Sequence, residues 1–217
     1  MSTTTDSTLP RRRAAVGAGS SCLVLAGAVC EIGARFRLGP VDLALASGSV
    51  CVVEGLNGAG KTTLLRAVAG LLSLSAGTRR CEGTALYLRS GAGARDGQTV
   101  DDAVDVAAAL AGRDRAVART AVDVVGLARL GDRRVGMLSA GERTRLTLAV
   151  ALAVEPRVLC LDEPFAHVDA AGGAMVCTVV SRLAAVGCAV MVASPQPRRL
   201  CDADGRLLVK DGMVRAT

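Results

Sequence analysis

Gly55-Leu56-Asn57-Gly58-Ala59-Gly60-Lys61-Thr62-Thr63 is the stretch that decides the fold. It follows a short apolar run, Val50 to Val53, and leads into Leu64-Leu65-Arg66-Ala67-Val68. That order predicts strand, glycine-rich loop and helix, the context in which a G-x-x-x-x-G-K-[ST] pattern carries meaning. Glycines let the backbone curl so that successive N–H groups face inward around an anion. The following helix adds its own unpaired donors and partial positive charge. Lys61 is then within reach of β- and γ-phosphates, and the Thr62 hydroxyl can ligate Mg²⁺. The chain holds 26 Lys+Arg, yet Lys61 and Lys210 are its only lysines. A sequence that otherwise uses Arg places a compact ammonium where phosphate oxygens would sit. A chance glycine-rich turn also fits the pattern. The flanking strand and helix favour a nucleoside triphosphate site.

With 217 residues and 51% hydrophobic composition, the chain can bury one sizeable core in one or two domains. Its 8 cysteines show no C-x-x-C pairing and mostly fall inside apolar runs. That argues against a zinc site or disulfide framework and for small buried thiols in a reducing compartment. The formal charge of +6 is spread along the chain, with Arg11-Arg12-Arg13 as the only dense cluster. Residues 1–19 are expected to form a disordered basic tail ahead of a domain over 20–217. No stretch approaches the roughly 18–20 uninterrupted apolar residues that span a bilayer. The Ser/Thr-rich start faintly imitates a secretory signal, but Ser20 to Ile32 fits an opening strand. The expectation is a cytoplasmic protein.

Apolar runs of strand length occur at Leu23–Val29, Val41–Leu45, Val50–Val53, Ala85–Leu88, Val158–Leu161, Ala189–Ala193 and Leu207–Val209. Several are apolar throughout, as in strands covered on both faces. Helical patterns lie between them at Thr63–Leu72, Thr99–Leu110, Arg115–Val125, Ser139–Ala153 and Gly172–Ala185. This alternation predicts an α/β fold with a largely parallel sheet. Residues 95 to about 138 carry helices without strands and read as a helical insertion. Lys210-Asp211-Gly212-Met213 between two short apolar runs predicts a tight hairpin.

Two further segments join the phosphate loop. Val158-Leu159-Cys160-Leu161-Asp162-Glu163-Pro164 is an apolar strand ending in adjacent carboxylates. In P-loop nucleoside triphosphatases an acid at this place holds Mg²⁺. Neighbours at a strand end diverge, so Asp162 would support the metal, directly or through water. Glu163 would orient and deprotonate the attacking water. A bare Asp-Glu pair also fits an ordinary turn; its pairing with the Gly55–Thr63 loop favours chemistry. Leu138-Ser139-Ala140-Gly141-Glu142 precedes a helix, with Ser139 as N-cap and Glu142 at capping-box spacing.

These segments together resemble the nucleotide-binding domain of an ABC (ATP-binding cassette) ATPase, over about residues 22 to 215. Gly55–Thr63 is similar to the Walker A loop, Leu138–Glu142 to the LSGGQ signature, and Val158–Pro164 to Walker B with its catalytic glutamate. Phe165-Ala166-His167-Val168-Asp169 resembles the D-loop, and Asp211-Gly212 the C-terminal turn of the family. The resemblance implies a P-loop core with a mostly parallel sheet, an antiparallel β edge and a helical subdomain near 95–138. It implies ATP and Mg²⁺ as ligands, the latter at Thr62 and Asp162, with Glu163 and Lys61 as catalytic residues. Nucleotide contacts would come from Gly55, Leu56, Asn57, Gly58, Ala59, Gly60, Lys61, Thr62, Thr63 and Asp162. Ser139, Ala140, Gly141 and Glu142 would close over ATP from a second subunit, in a homo- or heterodimer.

The chain also departs from the family pattern. Ser90 stands about where the Q-loop glutamine is expected, and a hydroxyl there would need a bridging water to touch a metal. Where the switch histidine is expected the chain reads Ser194-Pro195-Gln196, and proline offers no side-chain donor. His167, the only histidine, reads as a subunit-contact or surface residue. Nucleotide binding with slow hydrolysis is therefore expected. Phe36 fits an adenine-stacking aromatic and core packing equally. The first functional expectation is an ATPase subunit on the inner face of the membrane, driving separate transmembrane subunits of an exporter. Its motifs are similar to those of small haem-exporter and drug-exporter ATPases. A soluble ABC ATPase acting on nucleic acid or the ribosome is the second reading. The near absence of aromatics for stacking bases tells against it, and no direct nucleic-acid contact is expected. A regulatory module that binds ATP without turnover is the third.

Overall fold

A computed structural model describes residues 14–33, 36–91, 93–166, 168–194 and 202–217. Its strands are β1 (Ala14–Val16), β2 (Ser21–Ile32), β3 (Phe36–Ala46), β4 (Val50–Glu54), β5 (Ala76–Cys81), β6 (Ala85–Arg89), β7 (Val158–Asp162), β8 (Ala189–Ala193), β9 (Gly205–Lys210) and β10 (Met213–Ala216). The helices are α1 (Lys61–Ala69), α2 (Val100–Leu110), α3 (Arg115–Val124), α4 (Ala140–Val154) and α5 (Ala170–Ala185).

A six-stranded sheet runs β10-β9-β4-β8-β7-β6, parallel from β9 to β6 with β10 antiparallel at the edge. Its central strands are buried on both faces, and alternate residues supply two cores. Val52, Leu159, Leu161, Val190 and Val192 face the helical side. Cys51, Val53, Val158, Cys160 and Met191 face a second layer containing α1 and a four-stranded sheet of order β1-β3-β2-β5. This is why those strands read as unbroken apolar runs. On the helical side α2, α3 and α4 pack against one another. Thr99, Asp114 and Asp169 cap α2, α3 and α5 through side-chain oxygens.

Within 95–138 the described residues form α2, α3 and two 3₁₀ turns, Ala128–Leu130 and Val135–Met137, with one isolated bridge, Thr99 to Arg134. Asp211 and Gly212 both have positive φ between β9 and β10, as a two-residue hairpin requires. The boundary expected near residue 20 shifts, because Ala14–Val16 already pairs in parallel with β3 and buries Val16. Residues 1–13 lie outside the described residues. The seven described cysteines are free thiols, five of them buried, and burial pushes Cys51 and Cys188 up to about 12. No metal-binding cluster of His, Cys, Asp and Glu occurs among the described residues.

Candidate functional site: a phosphate cradle at the start of α1

The loop between β4 and α1 curls back over the helix start. Gly60 is the N-cap of α1 in a left-handed conformation (φ 113°), and no side chain caps the helix. Its first-turn N–H groups are therefore left for an anion. A Cβ on Gly60 would lie 2.7 Å from the Phe36 ring, and one on Gly55 would collide with the Val209 carbonyl. Only glycine lets the loop approach β3 and β9 this closely. Lys61 is buried, and its Nζ donates to the Gly55 carbonyl at 2.8 Å and the Leu56 carbonyl at 3.0 Å. The ammonium thus sits inside the curl and holds it in shape.

Asp162 ends β7 almost fully buried. Its Oδ2 accepts hydrogen bonds from Thr62 Oγ1 at 2.7 Å and from the Tyr87 hydroxyl at 2.8 Å. Burial, and then the carboxylate of Asp162, raises the Tyr87 pKa, so the phenol stays a donor at neutral pH. Arg66 lies over the Tyr87 ring at 5.4 Å from its centre. Glu163 follows with φ 54°, its N–H bonded to the Ala193 carbonyl and its own carbonyl accepting from Ala166 N–H. A non-glycine residue in this region costs about 1–3 kcal/mol, a strain typical of functional turns. The turn separates the two carboxylates. Asp162 goes to the hydroxyls beneath the loop, and Glu163 goes to the cavity above them.

That cavity, about 510 Å³, is lined by Ile32, Phe36, Asn57, Gly58, Gly60, Lys61, Thr62, Thr63, Arg89 and Glu163. Gly55, Leu56 and Ala59 line a neighbouring hollow of about 540 Å³ behind the loop, as do Asn57 and Gly58. Thr62 and Asp162 fit a hard cation such as Mg²⁺, since both offer oxygen and stand in mutual contact.

Ser139, Ala140, Gly141 and Glu142 do not line the cavity. Ser139 caps α4: its Oγ accepts from Glu142 N–H at 3.3 Å, and Glu142 Oε2 accepts from Ser139 N–H at 2.7 Å. The bonds from Ser139 hold the Glu142 carboxyl below its ordinary pKa. Arg143 pins the turn, donating to the carbonyls of Leu138 and Gly136 and pairing with Asp96 at 3.0 Å.

Ser90, expected near the metal, instead bonds Thr144 of α4 through its hydroxyl at 2.9 Å. His167, Pro195 and Gln196 lie outside the described residues. Sequence reasoning missed Tyr87 and Arg89 as site residues. Their spacing of two on a predicted strand was the available signal, since it puts both on one face.

The family profile described as ABC transporter matches residues 38–166. The chain belongs to the ABC transporter family. It is 36% identical over 183 residues to the cytochrome c biogenesis ATP-binding export protein CcmA of Cereibacter sphaeroides, covering 84% of this chain and 86% of that protein. It is 39% identical over 168 residues to the aliphatic sulfonates import ATP-binding protein SsuB 1 of Burkholderia cenocepacia, covering 75% of this chain. The chain spans about half the length of that SsuB relative, 52%. Among solved structures, a dimeric ATP-binding cassette in a post-hydrolysis state with ADP and Pi superposes with a TM-score of 0.82. That likeness covers 90% of this chain and 97% of the other at 19% identity, and supports the ABC fold. The names of the relatives point in both transport directions.

Proposed function

We propose that the chain is the ATP-binding and hydrolysing subunit of an ABC transporter, working on separate transmembrane subunits at the cytoplasmic face of a membrane. The observation that carries this reading is the contact between Thr62 and Asp162 beneath a loop whose interior holds Lys61. On binding, the triphosphate takes over the Lys61 donors now spent on Gly55 and Leu56, and the open N–H groups of α1 donate to its β-phosphate oxygens. Mg²⁺ held at Thr62 and Asp162 would offset phosphate charge. Glu163 orients water against the γ-phosphorus and takes its proton as the new P–O bond forms, while the bond to the β-phosphate breaks and ADP leaves. Phe36, against Gly60 at the cavity edge, is the candidate for stacking the base.

A second copy or a related subunit would bring Ser139–Glu142 over the same nucleotide, because these residues stand apart from the cavity of their own chain. CcmA is named as an export protein and SsuB as an import protein. The larger shared extent with CcmA favours export. Hydrolysis by the homodimer is expected to be slow, since Ser194-Pro195-Gln196 offers no imidazole. Steady-state turnover beside Pro195→His tests this, and no gain over a brisk wild-type rate would refute it. Co-purification with membrane subunits supports the transport role. Retention of RNA or DNA that salt disrupts would favour a nucleic-acid ATPase instead.

A further inference from the structure

Arg89 stands at the phosphate cavity with no assigned task. Strand β6 alternates its faces, and Tyr87 fixes which is which, with its hydroxyl on Asp162 and Arg66 over its ring. Leu88 is buried in the core on the helical side. Arg89, two residues beyond Tyr87, shares the Tyr87 face and lines the cavity with Lys61, Thr62, Thr63 and Glu163. Its Cα pairs in register with that of Asp162. Ser90 turns the other way, to Thr144. The Arg89 side chain is exposed, and among the described residues it has no hydrogen-bond or ion-pair partner.

We propose that Arg89 is a ligand of the γ-phosphate. This rests on the ATP reading above. Thr62 and Asp162 mark the metal position, and Glu163 marks the direction from which water must reach the γ-phosphorus. An arginine level with Asp162 and beside Glu163 therefore meets the terminal phosphate, whereas the helix start meets the β-phosphate. Its planar fork matches phosphate oxygens, and its charge does not titrate in the working range of a cell. Fixed positive charge here also favours the charge that develops on a phosphoryl group in flight.

The test is equilibrium binding of Mg²⁺-ATP and Mg²⁺-ADP to the full chain, wild type beside Arg89→Ala and Arg89→Lys, with Lys61→Ala as reference. Arg89→Ala is expected to weaken ATP about tenfold and ADP less than about twofold, the scale of one charged hydrogen bond. Arg89→Lys should recover part of the loss. Matching thermal midpoints establish that the exposed site tolerates the change. Equal loss for both nucleotides, or no loss for either, overturns the Arg89 assignment. If Lys61→Ala still loses ATP in that case, the ATP reading itself survives. Wild-type protein that binds neither nucleotide sinks both.

Discussion

Helices α1 and α4 both begin beside glycine, and the family resemblance assigns both to a nucleotide, yet their first turns are finished in opposite ways. At α1 no side chain caps the helix and no acid occupies the first turn. At α4 the Ser139–Glu142 capping box already satisfies the end and puts a carboxylate there. An open helix start binds an anion on its own. A self-capped start with a carboxylate in place must share its donors with an incoming phosphate and bear a like charge. In this reading α1 supplies the primary site, and α4 joins only when a second subunit presses it onto bound nucleotide.

That contrast can be broken or sharpened by substitution. Lys61→Ala removes the ammonium inside the α1 loop and is expected to weaken Mg²⁺-ATP roughly a hundredfold or more, read by calorimetry. Retained wild-type affinity would break the assignment. Glu163→Gln should keep ATP affinity while lowering turnover by about 10²- to 10⁴-fold and trapping an ATP-bound dimer visible by light scattering. Unchanged hydrolysis removes Glu163 from the water-activating role. Tyr87→Phe deletes one of two donors to a buried carboxylate oxygen. It should cost about 1 kcal/mol of stability in urea unfolding.

At α4, Ser139→Ala is expected to cost about 1 kcal/mol with ATP affinity of the isolated subunit unchanged. A loss of monomer affinity would show that the two helix starts act on one nucleotide within a single chain. The smallest effect belongs to Glu142. Its folded pKa lies below its unfolded value, so its contribution to stability is present above the ordinary carboxyl range. That contribution is lost as pH falls through the lowered pKa. Glu142→Gln keeps the capping geometry and should flatten this acid dependence in thermal unfolding. It should also tighten the ATP-bound dimer, because the like charge is gone.

The same comparison explains what the sequence could tell. The α1 loop was legible because each feature needs its residue: glycine for the close approach to Phe36, lysine for the curl, threonine for Asp162. The parallel strands were legible because burial on both faces forces unbroken apolar runs. Strand β5, Ala-Gly-Thr-Arg-Arg-Cys, was not, because it is a largely exposed edge whose purpose is polar. Arg79 Nε from this strand donates to the Val68 carbonyl at 2.8 Å near the C-terminal end of α1. Strand β1 was hidden for a related reason: three residues carry no periodicity, and pairing with β3 and burial of Val16 order them. The helix predicted to run from Thr63 to Leu72 starts two residues earlier and ends at Ala69, where Gly70 takes a left-handed C-cap. Ser90 misled because alignment to a family motif counts positions along the chain. The strand's alternation decides which side chain faces the cavity, and that side chain is Arg89.

The most direct measurement is calorimetric titration of folded, nucleotide-free protein with Mg²⁺-ATP. Saturable binding at one nucleotide per chain is the expected result. A flat titration from protein with a cooperative unfolding transition would contradict it.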